Sequence, residues 1–312
     1  MSRGWRPRRR DVLALGTAMA GELILGTTAP AQASPVVRYP GYSAQDWAQP
    51  YARFMAHRTV APPAAVAAAF HGPATPGGMI PAFSAVTSDL SISGYSPVET
   101  GYGRSDEGLV WTAVRTEMPG VTAAMWDWWF GWHSAESARY KLWHPDAHLY
   151  ADISSDRSAE AMPDRAKYVG TISYVDEYVG AKLQQLAISF VDPVAHGFEV
   201  PAGHTVILGR VGSSIAPVEL GWLAHQVRPI PGGSEMRSRF YLNRYGLRLP
   251  DPRQAAQALG RGAALDPADL VLGLGLARDL LLHCGQEMAH LAGFLPELYS
   301  EFAGGADSAS SE

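Results

Sequence analysis

"LLHCGQEMAHL" (residues 281–291) sits in an otherwise oily stretch near the C-terminus and decides how the chain is read. Its apolar residues recur with helical period, and the pattern runs from an Asp266-Pro267 start to Leu295, where Pro296 stops or kinks it. His283 and Glu287 fall one turn apart on one stripe, with His290 a further turn along. Three titratable side chains on a helix this apolar are costly to bury unless something compensates them. Residues four apart share a face about 6 Å apart along the axis, so His283 and Glu287 can offer a nitrogen and an oxygen to one ion. His290 lies about 10 Å from His283 along the axis and belongs to the surrounding wall. An isolated His-x-x-x-Glu is also what a hydrogen-bonded core histidine beside an incidental glutamate looks like.

Upstream, residues 168–248 are rich in short apolar runs separated by turn signals: "YVGTISYVDEYVG", "LQQLAISFVDP", "HTVILGRVG", "ELGWLAHQVRPI" and "SEMRSRFYLNRYG". An antiparallel sheet followed by a long terminal helix predicts an α+β fold whose sheet wraps that helix around a cavity. "PGVTAAMWDWWFGWH" opens a helix N-capped by Thr122, with Trp126, Trp129, Phe130 and His133 on one face. A histidine that closes an aromatic stripe needs a partner. In "SYVDEYVG" neighbouring side chains point to opposite faces, so one of Asp176 and Glu177 can turn inward. Two histidines and two carboxylates would make a mixed nitrogen and oxygen site suited to Zn2+. "HPDAH" offers His144 and His148 as an alternative, with directions blurred by Pro145. His204 and His225 lie in or beside strands. His57 and His71 show no constellation, and Cys284 reads as a packing residue. Ser134 follows His133, but no G-x-S-x-G elbow exists to support a serine hydrolase.

The N-terminal text has a different character. Arg8, Arg9 and Arg10 precede a modest apolar stretch and Ala31-Gln32-Ala33, the pattern of a twin-arginine-type signal peptide over residues 1–33. This predicts export to the periplasm or the extracellular space. The stretch is too interrupted for a membrane anchor. Without those residues the chain carries 20 basic and 28 acidic side chains, a formal charge of −8. No basic run remains, which excludes nucleic acid as a partner class. One cysteine excludes an intramolecular disulfide. Residues 34–118 are loop-rich, with short helical pieces near 44–57 and 62–70 and a strand at "GLVWTAVRTEM", and read as a smaller N-terminal domain or lid. Residues 119–303 then form the second domain, and "GGADSASSE" (304–312) a disordered tail.

Four of these segments, "PGVTAAMWDWWFGWHSAESARYKLWHPDAH", "YVGTISYVDEYVG", "EMRSRFYL" and "HCGQEMAHLAGFLPELY", resemble in order the 2,4-diacetylphloroglucinol hydrolase family, which includes phloretin-type hydrolases. The resemblance implies a Bet v 1-like (helix-grip) catalytic domain behind the smaller N-terminal one, a homodimer, and zinc-dependent hydrolysis of the bond joining an acyl group to a phenolic ring. It implies zinc ligands His133, Glu177, His283 and Glu287, with Asp176 or Asp164 as alternatives to Glu177. A small acylphenol would be the substrate, His225, His204 and Glu136 the candidates for proton transfer, and Trp129 and Trp132 the ring's wall. Two departures from the family stand out when counted from His133. Met125 occupies the place of a phenol-recognising tyrosine eight residues earlier, and Glu136 that of an amide three residues later. A non-catalytic helix-grip protein that binds an aromatic ligand, and a metal hydrolase of esters or lactones, are the alternative functions.

Overall fold

In the computed structural model, residues 41–264, 266 and 270–303 are described. The expected signal peptide and the expected C-terminal tail lie outside them. Eight antiparallel strands form one sheet in the order β1-β2-β8-β7-β6-β5-β4-β3. They are β1 (Gly101–Arg104), β2 (Val110–Pro119), β3 (His148–Ile153), β4 (Ile172–Val179), β5 (Lys182–Val191), β6 (Thr205–Ser213), β7 (Glu219–Ile230) and β8 (Gly233–Gly246). The helices are α1 (Ala44–Trp47), α2 (Ala64–His71), α3 (Val86–Asp89), α4 (Ala123–His133), α5 (Ser137–Trp143), α6 (Asp164–Tyr168), α7 (Pro252–Gly260), α8 (Leu274–Ala292) and α9 (Leu295–Phe302). The strand β2, two helices, a six-strand meander (β3 to β8) that closes back on β2, and a long helix held by the sheet make this an α+β helix-grip fold.

The sheet can grip α8 because α8 presents two buried stripes. Ala277, Leu281, Cys284, Met288 and Leu291 recur with helical spacing and join the main core. This stripe packs toward β2, where Thr112 Oγ1 donates to the carbonyl of Ala277 at 3.0 Å. The second stripe holds Leu276, Leu280, His283 and Glu287, and faces a cavity between the helix and the sheet. Gly285 lets α2 approach, since a Cβ there would sit 2.7 Å from both methyl carbons of Val66. The helix begins at Leu274 with Gly273 as N-cap, later than the expected start at Asp266-Pro267. Pro296 ends nothing: it lies in the first turn of α9.

The expected division between residues 118 and 119 does not separate the structure. It falls inside β2, which pairs with β8 from Val110↔Leu242 to Pro119↔Gly233. Residues 39–312 cluster as one compact unit. The loop-rich segment before β1 covers the outer face of the sheet. Ile80, Val86 and Leu90 pack there on Trp111, Ala224 and Tyr241. Beside this apolar patch, the outward-facing side chains of β8 are charged and buried. Arg237 and Arg239 clamp Glu99, Arg239 also pairs with Asp89 at 2.6 Å, and Arg228 and Arg115 pair with Glu235.

This network predicts an acid limit to stability. Burial raises the Glu99 carboxyl, but the hydrogen bond from Arg237, the charge of Arg239 and the Ser96 N–H outweigh it and hold the group at about 2, against an ordinary 4.5. A carboxyl lowered in the folded state contributes stability above its unfolded pKa. That contribution is lost as pH falls from 4.5 toward 2. Urea midpoints measured from pH 6 down to pH 2.5 should drop steeply in this window, and Glu99→Gln should flatten the slope. An unchanged slope in the variant would contradict the assignment.

Candidate metal centre

One strand pair and one helix bring four buried side chains together. His148 opens β3, and its Cα faces that of Glu177 across the β3–β4 pairing. Alternation along β4 turns Ser173, Val175 and Glu177 to the cavity and Asp176 away from it. His283 and Glu287 arrive from α8 at the i, i+4 spacing. His148, His283 and Glu287 each offer one ligand atom, all within 4.8 Å of one another. His148 Nε2 lies 3.3 Å from His283 Nε2, 3.5 Å from Glu287 Oε2 and 3.6 Å from Glu177 Oε2. His283 Nε2 lies 3.7 Å from Glu287 Oε2 and 4.0 Å from Glu177 Oε2.

The hydrogen bonds around the rings settle what these atoms are. His148 Nδ1 lies 3.0 Å from the carbonyl of Tyr140, an obligate acceptor, so Nδ1 carries the proton and Nε2 is bare. The His283 ring is likewise hydrogen-bonded to the backbone of Tyr178, which leaves its Nε2 for the cluster. Burial lowers the pKa of both histidines, so they stay neutral. Burial and then the neighbouring Glu177 raise that of Glu287. Bare nitrogens and carboxylate oxygens facing one another in a buried space repel, and a cation among them relieves that repulsion. The donor set is therefore one that fits a divalent metal of the zinc type, with two nitrogen and two oxygen ligands.

His133, expected as a ligand, stays outside this cluster. Its Nδ1 donates to the carbonyl of Trp129 at 2.7 Å, and its ring stacks on Trp129. The Tyr140 ring stands between: it stacks on His148 with centroids 3.8 Å apart, while His133 stacks on Tyr140 at 5.9 Å. His133 instead lines the cavity beside the centre. In its place in the cluster is His148, which the sequence offered only as an alternative with His144. Counted from His148, the tyrosine expected eight residues earlier is present as Tyr140, and its hydroxyl donates to Glu177 Oε2. The third residue after it is Ala151. Of the alternatives to Glu177, Asp176 is held by Arg261 at 2.7 and 3.0 Å, and Asp164 pairs with Lys167 at 3.0 Å. His144 stacks on His283 and bonds Thr59 Oγ1, behind the cluster and not in it. His290 reaches the backbone of Val60.

The three proton-transfer candidates separate. His225 lines the cavity with Glu177, His283 and Glu287. Its Nδ1 lies 2.8 Å from Ser238 Oγ, and burial lowers its pKa to about 3, so the ring is neutral. His204 is not brought to the cavity: its Nδ1 bonds the carbonyl of Ala202 in its own loop. Glu136 is not brought there either. It caps α5 and pairs with Arg139 at 2.9 Å. Trp129 is fully buried behind His133, and Trp132 carries the Arg139 guanidinium over its ring, so neither is the cavity wall. That wall is made by Phe130, Tyr140, Trp143 and Phe190.

Fold and site together define a helix-grip protein with a buried two-histidine, two-carboxylate centre at the foot of an aromatic cavity. The family model described as DAPG hydrolase PhiG domain matches residues 80–300. The chain belongs to this family. It is 31% identical over 216 residues to a 2,4-diacetylphloroglucinol hydrolase of a Pseudomonas species, covering 65% of this chain and 71% of the relative. It is 29% identical over 208 residues to a phloretin hydrolase of Eubacterium ramulus, covering 64% and 71%. Among solved structures, a point mutant of Thalictrum flavum norcoclaurine synthase is similar to it with a TM-score of 0.27 at 14% identity, covering 57% of this chain and 98% of that one.

Proposed function

We propose that this protein is a zinc-dependent hydrolase that cleaves the carbon–carbon bond between an acyl group and a phenolic ring. The observation that carries this is the meeting of His148, Glu177, His283 and Glu287 beside a cavity walled by aromatic rings. Family membership supports the bond class. Zinc held by these four residues would supply Lewis-acid polarisation of the acyl carbonyl and of a water molecule. The chain's own residues do the rest. Phe130, Trp143 and Phe190 enclose the ring and exclude bulk water. Tyr140, fixed by its stack on His148, directs its hydroxyl into the carboxylate edge of the centre, where burial and Glu177 keep it protonated.

His225, held at Nδ1 by Ser238, has its other ring nitrogen for the cavity and can pass a proton to the ring carbon. In the net reaction the hydroxyl of one water joins the acyl carbon, the electron pair of the broken bond goes to the ring, and a proton completes the ring carbon. A polyhydroxylated ring accepts that electron pair because its keto tautomer makes it a competent leaving group.

Elemental analysis of the purified protein should give about one zinc per chain. An acylphloroglucinol should then be hydrolysed to the free ring and a carboxylic acid, while simple aryl esters should be poor substrates. Turnover of esters alone would overturn the carbon–carbon assignment, and a metal-free active protein would overturn the zinc.

A further inference from the structure

The cavity has two lobes of different chemistry, and they meet at the metal centre. The first holds Phe130, His133, Tyr140, Trp143, Phe190 and His225. It offers flat faces and several polar atoms. The second runs on from Glu177 and is lined by Leu186, Val211, Leu220, Leu242, Leu272 and Leu276. Glu177 and Gln184 are the polar side chains on its wall among the described residues. Glu177, Ile188, Leu223, Phe240 and Leu280 line both lobes, so the two lie side by side and share a wall that includes Glu177 of the centre.

α8 records the same division along one stripe. Glu287 and His283 face the centre, and Leu280 and Leu276 continue it one and two turns toward the N-terminus. From His283 to Leu276 the helix rises about 10 Å, the length of an extended chain of about eight carbons. A phenolic ring placed in the aliphatic lobe would leave its hydroxyls without partners, which is costly. An alkyl chain there loses nothing and buries its whole length.

From this geometry we propose that the substrate's acyl group is a linear aliphatic chain of about four to eight carbons, lying in the aliphatic lobe while the phenolic ring occupies the aromatic one. The inference rests on the hydrolase reading above and deepens it. One water adds its hydroxyl to the acyl carbon and its proton to the ring carbon, so the products are a medium-chain fatty acid and the free polyhydroxylated ring. The aliphatic lobe makes no contact with the breaking bond. Binding there that is the same in ground and transition state acts through KM, not through kcat.

The test is a series of acylphloroglucinols carrying acetyl, butanoyl, hexanoyl and octanoyl groups, with a 3-phenylpropanoyl member for comparison. In the wild-type protein kcat/KM should rise about threefold per added methylene, or about a hundredfold from acetyl to hexanoyl, through KM. The 3-phenylpropanoyl compound should fall below hexanoyl. In Leu276→Trp, which fills the lobe two turns from the centre, the hexanoyl-to-acetyl ratio should collapse toward one. A flat or falling series with the acetyl compound still hydrolysed overturns the chain-length inference and leaves the hydrolase reading standing. A preference for 3-phenylpropanoyl overturns the aliphatic assignment. Failure to hydrolyse any member overturns both.

Discussion

If the centre holds zinc as proposed, replacing His148 by alanine should strip it of that metal and lower kcat/KM by about a thousandfold, the several kcal/mol that a Lewis acid contributes to such a barrier. His148 is the member of the cluster nearest to each of the others, at 3.3 Å from His283 Nε2, 3.5 Å from Glu287 Oε2 and 3.6 Å from Glu177 Oε2. Its bare Nε2 is fixed by the Nδ1 bond to the carbonyl of Tyr140 and by the stacked Tyr140 ring. His133→Ala is the matched control. It removes an equally buried imidazole, but one whose Nδ1 is spent on Trp129 and which lies beyond the Tyr140 ring. That variant should keep its zinc. Elemental analysis of the two proteins side by side decides the matter: zinc retained in His148→Ala and lost in His133→Ala would reverse the assignment of the centre.

The contrast between these two histidines shows where local sequence signals stop. His283 and Glu287 were legible because their i, i+4 spacing is a property of one helix. Glu177 was legible because alternation along one strand must turn either it or Asp176 inward. His148 has no such signature. It begins a strand just after a proline, and what makes it a candidate ligand is the residue facing it across β3 and β4, a long-range pairing. Of the aromatic stripe ending in His133 only Phe130 and His133 line the cavity, and a cavity wall and a metal ligand look alike on a helical wheel. The α+β fold, a sheet wrapped around a terminal helix, was read from strand runs and one long helix, and the structure has both. The supposed N-terminal domain was misread for a related reason. Its proline- and glycine-rich text is that of a loop, and Arg237 and Arg239 alternate along β8 as side chains on a wet face do. Whether such a face is covered depends on which acids lie opposite, and Asp89 and Glu99 come from that same loop segment.

Arg237→Ala should therefore destabilise the fold by about 3–5 kcal/mol, lowering the melting temperature by about 10 °C. Arg237 is fully buried and spends most of its guanidinium on the strap that covers the outer face of the sheet. It forks onto Glu99 at 2.6 and 3.0 Å, bonds Gln226 at 3.0 Å and meets the carbonyls of Asp89 and Ser91 at 2.8 and 3.2 Å. Its loss leaves Glu99 with Arg239 as its remaining cation, and takes one donor each from the half-buried carbonyls of Asp89 and Ser91. Arg237→Lys keeps the charge but cannot fork, so it should recover only part of the loss. Because alternation along β8 sets Ser238 and Phe240 on the inner face and Arg237 and Arg239 on the outer, the damage should register as stability and not as chemistry. Below its new melting temperature Arg237→Ala should retain zinc and most of its kcat. A loss of less than 1 kcal/mol in urea unfolding would show that the network is no better than the exposed ion pairs that contribute almost nothing. Full stability with failed turnover would mean that the outer face communicates with the metal centre through the strand.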